Sequence, residues 1–249
     1  MTDQESDFTP RLDAIETRWS MLRRAHQSSS ASADEARQML VMRYSPAIRS
    51  YVKAMTRNDD EADELSQDVV VRILKGDFAG ADPDRGRFRD LLKVAVRNMV
   101  RNYWEKQNRR RPADVDVQDA ETGEADPEND PWLESWRTNL LSLAWSKLED
   151  YETENANSVA HSVLRLRAEH PGDDSRQLAA KLSEQVGREF KPDATRQQLR
   201  RARLRFAEFL IEEIADGLDD PGPQRLQEEL IALGLYEHIK DALPEDWKS

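Results

Sequence analysis

Between positions 87 and 111 the chain reads RFRDLLKVAVRNMVRNYWEKQNRRR, nine lysines and arginines against the two acids Asp90 and Glu105. Phe88, Leu92, Ala95, Met99 and Tyr103 recur at helical spacing, which predicts one buried face. Lys93, Arg97 and Arg101 follow one another at intervals of four on a different face, with Asn98 and Asn102 beside them. Stacked like charges repel and would weaken an isolated helix. A polyanion relieves that repulsion. Arginine and asparagine can hydrogen-bond base edges, and an indole such as Trp104 can stack on a base. A solvated helix face with a basic tail fits the same composition.

Two further stretches carry chemistry. In DDEADELSQDVVVRIL, from 59 to 74, Ala62, Leu65, Val69 and Ile73 form an apolar face, while Asp60, Glu64 and Asp68 lie opposite with Asp63 and Gln67 adjacent. Such a face can grip a cationic partner through charge-assisted bonds, or it can simply be solvated. Asp59-Asp60-x-x-Asp63 also has the form of a magnesium–diphosphate motif. That chemistry needs a second carboxylate cluster on a facing helix, and none is evident. The third stretch, ATRQQLRRARLRF from 194 to 206, has five arginines and no acid.

The elements that position these residues are helices. Long period-two alternation is absent, so strands are not expected. Helices are predicted over 34–55 (with Pro46 inside), 59–74, the basic segment to 111, 132–148, 159–167, 175–184 and 194–215, with a short pair over 224–243. Leu12, Ile15, Trp19 and Leu22 could dock one more short helix ahead of the SSSAS break. The loop 76–86, with proline and three glycines, must end the acidic helix. Asp174 three residues before Gln177 predicts a capping box. A helix, a turn and a second, basic helix give the outline of a helix-turn-helix.

The chain of 249 residues suits one large or two small domains. Its net charge of −12 is distributed in blocks: residues 112–130 hold eight acids and no base, and read as a self-repelling flexible linker. The absence of cysteine excludes disulfides and thiolate zinc sites. Four dispersed histidines show no ligand spacing, so neither metal nor cofactor is expected. No apolar run approaches membrane length and the opening MTDQESDF lacks a signal peptide's pattern, so a soluble cytoplasmic protein without membrane contact is expected.

With these residues in place, the chain resembles bacterial sigma factors of the extracytoplasmic-function (ECF) group of the sigma-seventy superfamily. EADELSQDVVVRIL is similar to that group's core-binding helix at Ala62, Asp63, Glu64, Leu65, Gln67, Asp68, Val69 and Arg72. FRDLLKVAVRNMVRNYWEK resembles its promoter-melting helix at Phe88, Arg89, Leu92, Ala95, Arg97, Asn98, Asn102 (where Asp is usual) and Tyr103. RQLAAKLSEQVG and ATRQQLRRARLRF are similar to its second DNA-binding module, especially at Leu199 and Arg201-Ala202-Arg203. Leu91 stands where Trp is typical. The turn over 183–193 reads as longer than the family's tight form, and Gln197-Gln198 replace a Ser-Arg-like pair.

The resemblance implies an all-α protein: an N-terminal extension (1–35), a region 2-like domain (36–111), the acidic linker (112–131), a region 4-like helix-turn-helix domain (132–216) and a C-terminal helical extension (217–249). It implies no catalysis. Asp63, Glu64, Gln67 and Asp68 would bind core RNA polymerase at a coiled coil of the largest subunit, with the flap as a further contact. Arg87, Arg89, Lys93, Arg97, Asn98, Arg101, Asn102 and Trp104 would bind and melt one promoter element. Arg196, Gln197, Arg200 and Arg201 would read another in the major groove. From its charge, the linker either lies along the polymerase channel with its acids standing in for phosphates or is an inert spacer. An anti-sigma factor is a further partner the family allows. Three other readings compete: a stand-alone helix-turn-helix repressor, the all-α magnesium enzyme, and an adaptor that mimics a sigma factor to sequester a regulator.

Overall fold

The computed structural model of the chain describes residue 25 and residues 31–56, 58–75, 87–110, 130–218 and 222–243. Every described element is helical: α1 (Ala31–Met55), α2 (Asp59–Lys75), α3 (Phe88–Arg110), α4 (Pro131–Glu154), α5 (Ala160–Glu169), α6 (Ser175–Val186), α7 (Pro192–Ala215), α8 (Pro223–Ala232) and α9 (Tyr236–Ile239), then a 3-10 turn (Lys240–Ala242). The docking residues Leu12, Ile15, Trp19 and Leu22, the loop 76–86 and the acidic linker short of Asp130 lie outside the described residues. No described helix is long and apolar enough to cross a membrane.

The chain divides into two compact units. The first gathers α1, α2, α3 and the start of α4, through Asn139. Leu40, Tyr44, Ile48 and Val52 of α1, at four-residue spacing, are each at most 1% exposed, and Ala62, Leu65, Val69 and Ile73 of α2 meet them. Asn58 starts α2: its side-chain oxygen accepts the Asp60 N–H and its carbonyl the Ala62 N–H. Asp59, Asp60 and Glu61 then complement the positive end of the helix, and Arg72 and Lys75 the negative end. In α1, Pro46 removes one ladder bond, from Met42's carbonyl, yet the helix continues. Both residues are exposed, so water can reach the orphaned oxygen.

On α3 the buried set is Phe88, Leu92, Val96, Met99 and Val100. The predicted face is therefore rotated slightly: Ala95 and Tyr103 lie at its margin and are half-buried. An aromatic seam joins three helices. Tyr44 stacks on Trp136 at 5.3 Å and 8° and meets Phe88 at 5.2 Å, while Tyr51 is edge-on to Trp132 at 5.0 Å. Trp132 and Trp136 touch each other at 5.4 Å, and each is 1% exposed. Asn139 donates to the Arg43 carbonyl, and the Ser135 and Ser50 hydroxyls lie 3.1 Å apart.

The second unit holds α4 from Leu140, with α5 to α9. Leu148, Val163, Leu166, Leu178, Leu182, Leu199 and Ala202 form its core, with Trp145, Tyr151, Phe206 and Phe209 packed against it. Ser162 at the start of α5 gives its N–H and hydroxyl to the Glu152 carboxylate. Asp174 caps α6 by accepting the Arg176 and Gln177 N–H groups, while Gln177 accepts from the Asp174 N–H, as the capping box requires. Arg167 pins the preceding turn through the carbonyls of Pro171 and Asp173. Leu226, Leu230, Leu233, Leu235 and Ile239 are buried, and the segment carrying them packs on α7.

Removing one plate of the aromatic seam tests its weight. Trp136→Ala is expected to destabilise the chain by about 3–5 kcal/mol, the range for a buried aromatic cut to alanine. A fall in the urea midpoint followed by circular dichroism checks it.

Candidate protein and nucleic-acid interfaces

On α2 the acidic stripe faces outward. Glu64, Gln67 and Asp68 are exposed, whereas Asp63 is partly covered by Arg49 of α1, which donates to both its oxygens at 2.7 and 3.0 Å. That bidentate hydrogen bond holds the Asp63 carboxyl below the usual carboxylate range. Lys53 pairs with Asp59 at 3.0 Å. Two acids of the DDxxD pattern are therefore bonded to cations of α1. No group of three or more ligand-type side chains that could hold a metal occurs among the described residues.

The stripe continues into apolar ground that its sequence does not advertise. Val71 and Leu74 are 41% and 39% exposed, at helical spacing beyond Glu64 and Asp68. Leu74 lines an open groove with Asp34, Arg37, Gln38, Val41 and Met42 of α1. Met42 is 71% exposed. The available signal was register: Val71 and Leu74 are apolar but fall off the Ala62–Leu65–Val69–Ile73 face.

The basic stripe of α3 is sorted by the structure into free, engaged and buried members. Arg97, Asn98, Arg101 and Asn102 are exposed on one side, and Val94, 56% exposed, shares it. Arg97 makes no ion pair among the described residues. Arg101 approaches Glu105 at 3.9 Å, and Glu105 also meets Arg109 at 3.5 Å. Lys93 is ion-paired to Asp130. The repulsion expected among Lys93, Arg97 and Arg101 is thus relieved in part by the chain's own acids. Arg87 and Trp104 are half-buried, with the Trp104 ring edge-on to Tyr103 at 5.7 Å. Arg89 is 8% exposed, next to buried Phe88 and 3.7 Å from Asp90.

In the second unit the turn between α6 and α7 is tighter than the sequence suggests, because α6 runs on to Val186. Gly187 ends it in the left-handed region at φ 73°, and its N–H donates to the Ser183 carbonyl. The Ser183 hydroxyl accepts the Phe190 N–H at 2.8 Å, folding the connection onto α6. Thr195, fully buried, then bonds back to Lys191 at the start of α7. From this base Arg196, Gln197, Arg200 and Arg201 project outward, while Leu199 and Ala202 are buried. Arg196 is ion-paired to Asp193. Arg203 is also exposed and extends the outward set. Arg205 is structural, pairing with Glu208 at 2.6 Å above the Tyr151 ring. Burial raises the Glu208 carboxyl above its ordinary range, with Arg205 opposing. Glu212 instead joins Glu213 around Lys147, whose charge they favour against its burial.

Residues 40–110, from within α1 to the end of α3, match the family described as Sigma-70 region 2. No curated protein and no solved structure matches the chain. The family match supports a sigma-70 family sigma factor, with a role in binding RNA polymerase and recognising promoters.

The Arg49–Asp63 pair carries a pH signature. With its folded pKa lowered, Asp63 contributes stability that is complete above the unfolded pKa, about 3.9, and is lost as pH falls through the folded value. A carboxyl-carbon NMR titration should place Asp63 below that reference. In Arg49→Ala the midpoint should rise toward the ordinary carboxylate range, with Lys53 still favouring the charged form.

Proposed function

We propose that the chain is an ECF-type sigma factor that binds core RNA polymerase and directs promoter recognition and melting. The observation that supports this most is the juxtaposition, inside the region matched by Sigma-70 region 2, of an outward acidic stripe on α2 and an outward Arg/Asn stripe on α3. Glu64, Gln67 and Asp68 meet a basic coiled coil of the polymerase, and Asp63 joins them on its Arg49 support. Val71, Leu74 and Met42 supply apolar contact beside the charge-assisted bonds, which give orientation and on-rate.

On α3, Arg97 and Arg101 hold phosphates while Asn98 and Asn102 offer paired donors and acceptors to base edges. Val94 suits a thymine methyl on the same side. Melting costs a few kcal/mol of unstacking, which contacts to an extruded base offset. The partly covered Trp104 is one surface for it. On α7, Arg196, Gln197, Arg200 and Arg201 enter a major groove, and a good bidentate base contact there is worth roughly 1–3 kcal/mol of discrimination. No step of this activity is enzymatic. A stand-alone repressor accounts for α6 and α7 but gives the α2 stripe no task.

Three experiments divide the labour. Glu64→Ala with Asp68→Ala should abolish co-purification with core polymerase while leaving the circular dichroism spectrum unchanged; intact co-purification removes the reading. Asn98→Ala with Arg101→Ala should keep polymerase binding but lose initiation on duplex promoters, with partial recovery on pre-melted templates. Arg200→Ala should cost about 1–3 kcal/mol of duplex binding and relax discrimination at one base pair, read in a filter-binding series on promoters substituted one position at a time.

A further inference from the structure

Lys93 heads the α3 stripe, yet in the free chain it is already engaged. Its ammonium is ion-paired to Asp130, and the two side chains are only 24% and 15% exposed. Asp130 is the last of the eight acids of 112–130, and the structure fixes it in place. Its second carboxylate oxygen accepts the Trp132 N–H at 3.1 Å, and its carbonyl accepts the Glu134 N–H at 3.1 Å. Trp132 and Trp136, both buried, anchor the start of α4 that carries it. Tyr51 marks the same neighbourhood: burial raises its hydroxyl, Arg97 opposes that shift and Asp130 adds to it. The carboxylate thus lies at the edge of the face that Arg97 and Arg101 present to solvent.

A carboxylate and a phosphate offer the same thing to an ammonium group, anionic oxygens that accept charge-assisted bonds. We propose that Asp130 is a built-in phosphate surrogate: it fills the phosphate position at Lys93 in the free chain, and a nucleic-acid strand must displace it to use the whole α3 stripe. The proposal rests on α3 being a nucleic-acid-binding helix. Its consequence is a free chain that binds single strands with one phosphate contact fewer than its exposed sequence would allow. The penalty falls equally on every base sequence, because phosphates carry none.

Fluorescence anisotropy of the full chain with a labelled single-stranded oligonucleotide, from 50 to 200 mM salt, tests this. Asp130→Asn keeps an oxygen for the Trp132 N–H and removes the charge. It should tighten binding at low salt and steepen the log–log salt slope by about 0.7, so that affinity falls about threefold further than wild type across that range. Adding Lys93→Met to Asp130→Asn should return the slope to wild type. Glu134→Gln, an exposed acid of α4 with the same change of charge, should leave the slope alone. An unchanged slope in Asp130→Asn, a gain that survives Lys93→Met, or an equal gain in Glu134→Gln overturns the surrogate.

If Asp130→Asn fails to fold by circular dichroism, Lys93→Met alone carries the test. It should keep the wild-type slope, and a loss of one contact would refute the idea. Arg97→Ala with Arg101→Ala separates the two levels. If that pair leaves binding intact, the nucleic-acid reading of α3 fails and the surrogate with it. If the pair weakens binding while Asp130→Asn leaves the slope unchanged, the reading stands and the surrogate alone falls.

Discussion

Five aromatic rings set the geometry of the first unit. Tyr44 and Tyr51 from α1, Phe88 from α3, and Trp132 and Trp136 from α4 contact one another with centroids 5.0 to 5.4 Å apart. Large flat side chains bury much area at little rotamer cost, and their offset and edge-on contacts restrict how the helices can rotate. Phe88 begins the helix that carries the Arg/Asn stripe. Its seating on Tyr44 therefore fixes which way Arg97 and Arg101 face. Without the seam, the same cations would have no defined direction.

Charge placement follows from that packing. Several cations are matched by an acid of the same unit: Arg49 by Asp63, Arg101 and Arg109 by Glu105, Arg205 by Glu208. The pairs of Asp63 and Glu105 are exposed and worth little in stability because water and salt screen them. Their effect is on what remains available. Glu64 and Asp68 on α2, Arg97 on α3, and Arg200 and Arg201 on α7 stay exposed, so each stripe is defined as much by its paired neighbours as by its own members.

Much of this was legible from the amino acids. Four-residue spacing marked the buried faces of α1 and α2, because a helix returns to one side every 3.6 residues and those faces are narrow. The Asp174–Gln177 cap was readable since it depends on residues three apart. Long-range partners were not. Nothing local pairs Asp130 with Lys93, and nothing in RFRDLLKVAVR separates buried Arg89 from exposed Arg97. Residues with long aliphatic stems can lie on either side of a boundary that only tertiary packing draws. The α6–α7 turn was misjudged for a related reason: Gly187 ends a helix only where the chain adopts the left-handed conformation, and composition alone put that point earlier. On the candidate site, spacing supplied the α2, α3 and α7 stripes, while Val71, Leu74 and Val94 emerged only once exposure was known.

The turn ahead of α7 has an evolutionary implication. It is held by a glycine backbone, the Ser183 hydroxyl and the buried Thr195, with none of the outward residues of α7 taking part. The scaffold and the outward face of α7 are therefore separable by mutation. Substitutions at positions 197, 200 and 201 can accumulate without tilting the helix, so the chemistry of its outward face can drift between lineages while the turn that aims it stays constant.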